Sequence, residues 1–503
     1  MRFFLPSLLF SVVVSSTAAL ADQGAPPPDR VGRVSFADGK VSARAPGETQ
    51  WSDAAEGEPV SAGTALRTGD EARAEIEIGA DTIDFDNGAE ARIALLDDRF
   101  AEIALTQGRI AIALRRLGTG ESVEIDMPQG GVWLLQPGRY EIDVGDAGRA
   151  PRIAVFAGAA RFAGGGTDLK IGAGAAVDPA AGATQEATED AFADWCRGRD
   201  WDEANRAAPY YVSPEMTGSA ELDDAGSWEW NLEYGAVWFP KDLPADWAPY
   251  RDGKWRWVAP WGWTWLDDRS WGFAPSHYGR WAMIGGRWGW VPGRFAAHPV
   301  YMPAVVAFLG TAGVGLSYAE GSGPAIGWFP LAPGEAYWPS YTADLDYIRR
   351  LNRGNVADPE AMHPAKDGKP PVELVGEIFA DRLYASVVPR AVFTGGEATL
   401  PALLELPETR LQNAPVVTGS PAGAPPPPPP PHIAAAAPAP KPAHPAKPVH
   451  AAAAHPRREQ SAAHGKGAHM RAPGYAAAPK SRHMVALRIA HPRPAAHKKD
   501  GKR

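Results

Sequence analysis

From Val31 to Val177 hydrophobic and polar residues alternate with a period of two, as in strands that bury one face. In Arg73-Ala74-Glu75-Ile76-Glu77-Ile78 the isoleucines share one side and the charges the other. The segments Arg109 to Arg115 and Arg139 to Val144 repeat the pattern. Gly108, Gly118, Gly138, Gly158 and the pairs Asp38-Gly39 and Asn87-Gly88 fall between the runs, where hairpins turn. The pattern predicts an all-β domain over residues 31–177, with about a dozen short strands.

A different grammar begins near Trp228. Fifteen of the nineteen tryptophans lie between Trp228 and Trp338, spaced as Trp255-Arg256-Trp257, Trp263-Thr264-Trp265 and Trp288-Gly289-Trp290. Trp-x-Trp spacing places two indoles on one face of a strand, and the intervening Gly and Pro are turn formers. A Trp-rich β-hairpin domain is therefore expected over residues 227–345, with 346–412 packed onto it. Tyr250 to Trp265 is loosely echoed by Tyr278 to Trp290, a repeat of about 25 residues and too few copies for a solenoid. Between the two β regions, residues 178–226 form a linker. Its one short helix runs from Thr188 to Asp200, with Phe192, Trp195 and Arg199 at helical spacing.

Composition changes the picture at the two ends. Met1-Arg2, the apolar run Phe3 to Val14 and Ala19-Leu20-Ala21 form a secretory signal with cleavage after Ala21. The apolar run falls short of the ~20 residues a membrane span needs. The mature chain is thus expected in the periplasm or cell envelope without a transmembrane span, starting with a Pro-rich spacer over residues 22–30. The whole chain carries 50 Lys/Arg against 59 acids, unevenly placed. Residues 413–503 hold 14 Lys/Arg and two acids, a charge near +12; residues 1–412 keep 36 against 57, near −21. The tail also holds nine of the twelve histidines and seven consecutive prolines, Pro425 to Pro431. Such a composition buries too little apolar area to order a chain, so a disordered tail that adheres to an anionic surface is expected.

Candidate chemistry is sparse. Between Asp22 and Met362 the only histidines are His277 and His298. No nucleophile–base–orienter pattern is visible, and the single cysteine, Cys196, excludes both an intramolecular disulfide and a thiolate zinc site. No catalytic residue, metal site or cofactor is assigned, and a nucleic-acid role does not fit the export signal. The Trp array has two uses. Each indole buries roughly 150–250 Å² in a core, yet fifteen exceed what a unit of this size is expected to hide. Trp257, Trp263, Trp265, Trp271, Tyr278 and Trp290 are the expected lining of a ligand-binding groove.

Two stretches resemble known families. Glu102 to Ile110, Gly138 to Val144 and Ile153 to Phe162 resemble the repeated strands of the periplasmic sensor domain of the ferric-citrate regulator (FecR) family. That resemblance implies signalling, but a signal peptide here stands where members that control sigma factors carry a cytoplasmic segment and a membrane span. Residues 190–395, with Tyr234-Gly235, Trp247-Ala248-Pro249-Tyr250, Gly327-Trp328-Phe329-Pro330 and Val387-Val388-Pro389, resemble a Trp-rich exported bacterial family with Tyr-x-Trp-x-Pro-type repeats and no established activity. Three functions remain open: a non-enzymatic envelope interaction or scaffold module binding an envelope polymer or protein, a FecR-type regulator, and a glycan hydrolase.

Overall fold

The computed structural model describes residues 26–204, 210–310, 316–317, 324–363 and 379–417. The chain divides into two units, residues 1–434 and 435–503, and every described residue lies in the first. The expected signal peptide and nearly all of the expected tail lie outside the described residues.

Eighteen strands between Gly32 and Glu186 build two nine-stranded sheets. The chain moves between sheets largely in pairs of strands. The hairpin Arg73–Ile78/Asp81–Phe85 belongs to one, Glu90–Leu96/Phe100–Gln107 to the other. The surplus over the expected dozen comes partly from strands such as Ser52–Asp53 and Pro59–Val60, too short to show any alternation. Between the sheets, Ile76, Phe85 and Ile110 join Ile103, Ile125 and Phe162 in one apolar core.

The polar side of the first sheet does not face water, as the alternation alone would suggest. Glu75, Glu77, Asp84, Asp86, Glu141 and Asp143 are buried. The helix Ala191–Ala204 lies over part of this face. Asp190 begins it, two residues later than the Thr188 start in the sequence, accepting from the amides of Phe192 (3.0 Å) and Ala193 (3.1 Å). Arg199 reaches Glu75 through two nitrogens at 2.6 and 2.8 Å, and Arg109 joins Asp86 to Asp190. Buried carboxylates are held in this way by guanidinium groups supplied from outside the sheet.

The second lobe is built from hairpins, as the Trp spacing implies. Gly226–Asn231/Gly235–Pro240 joins Arg280–Ile284/Arg287–Val291 through a Trp238–Trp290 pairing, giving four strands. Gly253–Val258/Gly262–Asp267 stands as a pair with Trp255 opposite Trp265 and Trp257 opposite Trp263. The two repeat copies therefore become hairpins of different sheets. A five-stranded sheet centred on Pro324–Pro330 completes the lobe. Its edge strand, Val416–Val417, lies beyond residue 412, where the packed segment was expected to end.

The core of this lobe is aromatic. Trp238, Trp255, Trp265, Trp290 and Trp328 are fully buried. Around Trp255, Trp265 and Trp328 pack edge-to-face with centroids at 5.6 and 5.4 Å, and Phe393 lies at 5.1 Å. Indole N–H groups of Trp238, Trp290 and Trp328 donate to carbonyls at 2.8–2.9 Å, so these rings bury their polar atom satisfied.

The lobes are joined by polar contacts that bury charge. Arg33 lies between Glu77 of the sandwich and Glu221, and Arg256 pairs with Glu58. Thr217 Oγ1 accepts from the Gly79 amide (2.9 Å) and donates to the Val31 carbonyl (2.9 Å), while the Gly218 amide donates to Glu77 (2.8 Å).

Candidate binding cleft

Five of the six aromatic residues expected to line a groove are interior. Trp265 and Trp290 are fully buried, and Trp263, Trp271 and Tyr278 expose less than a tenth of their surface. Trp257 is half-buried, closed by an edge-to-face contact with Trp263 at 5.7 Å. The expectation of a solvent-facing indole ladder is corrected for a physical reason: Trp255, Trp257, Trp263 and Trp265 share one face of their hairpin, and later segments cover that face. Phe393 from the 390–395 helix sits 4.8 Å from Trp263, and Phe308 sits 5.4 Å from Trp255. The exposed aromatics lie elsewhere. Trp230 is 78 % exposed near the first hairpin turn, and Phe295 is 67 % exposed in the loop after Val291.

His277 is also interior. Its Nδ1 donates to the Met302 carbonyl at 2.8 Å, and burial holds its pKa down to about 3. A neutral, fully enclosed imidazole with its ring nitrogen engaged has the geometry of a core histidine. Among the described residues, no group of three or more His, Cys, Asp or Glu could hold a metal ion. Cys196 is buried against Asp84, and burial with that carboxylate pushes its thiol far up, away from the thiolate form.

A cavity of about 600 Å³ lies where three segments meet. One wall is the loop Pro292 to Val300. Another is the turn from Arg350 to Asn355, at the end of the Leu345–Asn352 helix. The third comes from the linker, Tyr211 to Met216, with Asp29 from ahead of the first strand. Tyr278, Met302 and Leu351 form an apolar floor, so Tyr278 alone of the six aromatics meets this cavity.

The sequence fixes these walls through specific residues. Gly293 adopts φ +88°, and a Cβ there would come within 2.5 Å of the Gly354 carbonyl, so the two loops touch only because the residue is glycine. The Arg294 amide then donates to that same carbonyl at 2.9 Å. Ser213 Oγ ties the linker to the Ala297 carbonyl at 2.8 Å. Asp344 caps the helix through the Tyr347 amide at 2.8 Å. Asn352 at its other end is buried, accepting from the Tyr337 amide (2.7 Å) and from Arg280 (2.9 Å). Arg280 is fully enclosed, donating also to the Gly279 and Glu335 carbonyls, and burial lowers its pKa to about 10.

The cleft contains four cationic or basic side chains, Arg294, His298, Arg350 and Arg353, and one carboxylate, Asp29. Asp29 pairs with Arg350 at 3.0 Å. Burial raises the Asp29 carboxyl and Arg350 pulls it back. The side-chain oxygen of Asn355 is buried with no protein partner. The groups present can bind and orient a ligand.

Fold and cleft define a two-lobed β protein in which a sheet sandwich is joined to a Trp-packed hairpin lobe. Residues 219–335 match the model of a family of unknown function, DUF6600. No curated protein matches the chain. Two crystal structures of a proposed anti-sigma factor from Parabacteroides distasonis are similar at 11 % identity, with TM-scores of 0.22 and 0.23. They match 25 % and 27 % of this chain, which spans 60 % and 65 % of theirs. Among the described residues no helix is long and apolar enough to cross a membrane.

Proposed function

We propose that this protein is a non-enzymatic, exported interaction module of the bacterial envelope, with its ligand seated in the cleft between the 292–300 loop and the 350–355 turn. The observation that carries this reading is the cleft itself: about 600 Å³, an apolar floor, convergent polar groups and an exposed aromatic at its mouth. Cavities of roughly 300–1,000 Å³ with few, well-placed polar groups are the usual form of small-ligand sites. The basic tail would add non-specific adhesion to anionic polymers or head groups, weakening with salt. The regulatory reading needs the sandwich to offer a face to a membrane partner. Its charged face is taken up by the chain's own helix and linker, which favours the interaction module.

The test has two parts. Full-length protein expressed with a C-terminal tag is fractionated, and the mass of the exported form should start at Asp22. That material is then passed over isolated envelope polymers and membranes at low salt, where wild type should be retained and Phe295→Ala should be retained less. Retention of neither, or an unprocessed cytoplasmic chain, would remove the proposal.

A further inference from the structure

The cleft's charge is opposite to that of the chain around it. Residues 1–412 hold 36 Lys/Arg against 57 acids, yet the cleft lining has three arginines and one aspartate, already paired with Arg350. Arg294 and Arg353 have no carboxylate partner among the described residues. They sit on backbones locked together by the Arg294 amide and the Gly354 carbonyl at 2.9 Å, so two guanidinium groups start from adjacent points. Both line the same cavity, and a guanidinium fork matches carboxylate and phosphate oxygens. Beside them, Phe295 is 67 % exposed, a large apolar face next to the arginine pair. Tyr211 opposite is held by stacking on Trp228, centroids 4.5 Å apart. The Asn355 oxygen adds a buried acceptor that lacks a donor.

We infer that the cleft binds a hydroxylated organic anion. Its carboxylate or phosphate lies between Arg294 and Arg353, its ring or chain lies against Phe295 and Tyr211, and a hydroxyl donates to Asn355. Sugar acids and sugar phosphates have this chemistry, as do glycerophosphate head groups of lipids. This inference rests on the cleft being the binding site proposed above, and adds the class of ligand.

The test is calorimetry on the full mature chain with a galacturonate dimer, glucose 6-phosphate and neutral maltose, at low and high salt. The acidic sugars should bind, more weakly as salt rises, and maltose should not. Arg294→Gln and Arg353→Gln should each weaken binding about tenfold or more, the loss expected for one charge-assisted hydrogen bond. Both side chains are exposed, so their removal leaves the fold intact. Arg287→Gln, removing an exposed arginine paired with Glu229 on another face, should change nothing. Displacement of the sugar by phosphatidylglycerol vesicles, lost in Arg353→Gln, would assign the anion to a lipid head group; no displacement would assign it to a soluble or polymer-borne sugar. Binding unaffected by either cleft arginine would overturn the inference and place the anion on the basic tail, which every variant retains. Equal binding of maltose would also overturn it. If no acidic sugar binds while Phe295→Ala still lowers retention on envelope material, the anion is wrong and the binding module stands. If neither is seen, both fall.

Discussion

Replacing Arg33 by methionine tests the junction between the lobes. Arg33 is 2 % exposed, donating through Nε to Glu77 at 2.7 Å and pairing also with Glu221. Burial by itself would lower the Arg33 pKa, but Glu221 and Glu77 outweigh it and the guanidinium stays charged. Methionine keeps much of the packing against Phe273 while leaving Glu77 buried and deprived of its cation. Removing one partner of a buried pair costs about 3–5 kcal/mol. Glu77 retains the Gly218 amide at 2.8 Å, so the lower end, about 3 kcal/mol, is expected. The sign of the pH dependence follows from Glu77. Burial already raises its carboxyl and Arg33 opposes that rise, so losing Arg33 raises it further. An acid whose folded pKa exceeds its unfolded value loses stability as pH rises through that folded value. The deficit should therefore be larger at pH 8 than at pH 5. Urea unfolding of the full chain, followed by Trp emission for the second lobe and far-UV ellipticity for both, measures it. The double variant Arg33→Met/Glu77→Gln should recover about 1–2 kcal/mol, since Gln still accepts from Gly218 and no unpaired charge remains. A loss below about 1 kcal/mol, or one that is the same at both pH values, would refute the claim that this buried charge holds the lobes together.

Three further outcomes are expected. Trp238→Phe should destabilise more than Trp255→Phe by about 1 kcal/mol in the same urea assay, because only Trp238 donates a satisfied N–H, to the Leu222 carbonyl, whereas the Trp255 N–H is buried without a partner. Asp381 is 3 % exposed with an unpartnered oxygen, and burial together with Glu335 raises its pKa from 3.8 to about 7. Wild type should lose stability from about pH 4 to pH 7 on its account, by at most about 4 kcal/mol, and Asp381→Asn should remove that slope in melts taken across the range. Gly293→Ala, at φ +88° with the Gly354 carbonyl 2.5 Å from the new Cβ, should cost about 1–3 kcal/mol in urea and abolish ligand binding by parting the two loops.

The two β regions were legible because each follows a short-range rule. Alternation over Arg73 to Ile78 gave a strand and its inner face, and Trp-x-Trp gave paired indoles across the Gly253–Asp267 hairpin. What lies over the other face of such an element is set by residues far along the chain, and alternation cannot report it. Glu75 reads as a solvent-facing charge until Arg199, 124 residues later, is seen to cover it. Trp263 reads as a candidate platform until Phe393 closes on it. The error over these aromatics has the same origin: the indole-bearing face of the Gly253–Asp267 hairpin is covered by Phe308 and Phe393, far along the chain. The short pairing of Val416–Val417 was hidden because two residues carry no period.

The cleft was illegible for a further reason, since none of its walls is a regular element facing inward. Pro292-Gly293-Arg294-Phe295 contained the available signal, a turn glycine followed by a cation and a large aromatic with no hydrophobic period to bury it. What makes that loop a wall of the cleft is the junction. Asp29 lies just ahead of the sandwich and Ser213 on the linker after its helix; the first reaches Arg350 and the second reaches the Ala297 carbonyl. Segments from both sides of the sandwich in the chain thus line the cleft. Seven and eight residues from the Ser213–Ala297 bond, on the same linker, Ala220 and Glu221 lead to the contact with Arg33. A buried ion pair is a poor source of stability compared with apolar packing, but it enforces one relative position of its partners. Here that position brings the linker and the 292–300 loop to their observed spacing, so the charge buried between the lobes sets the shape of the cavity.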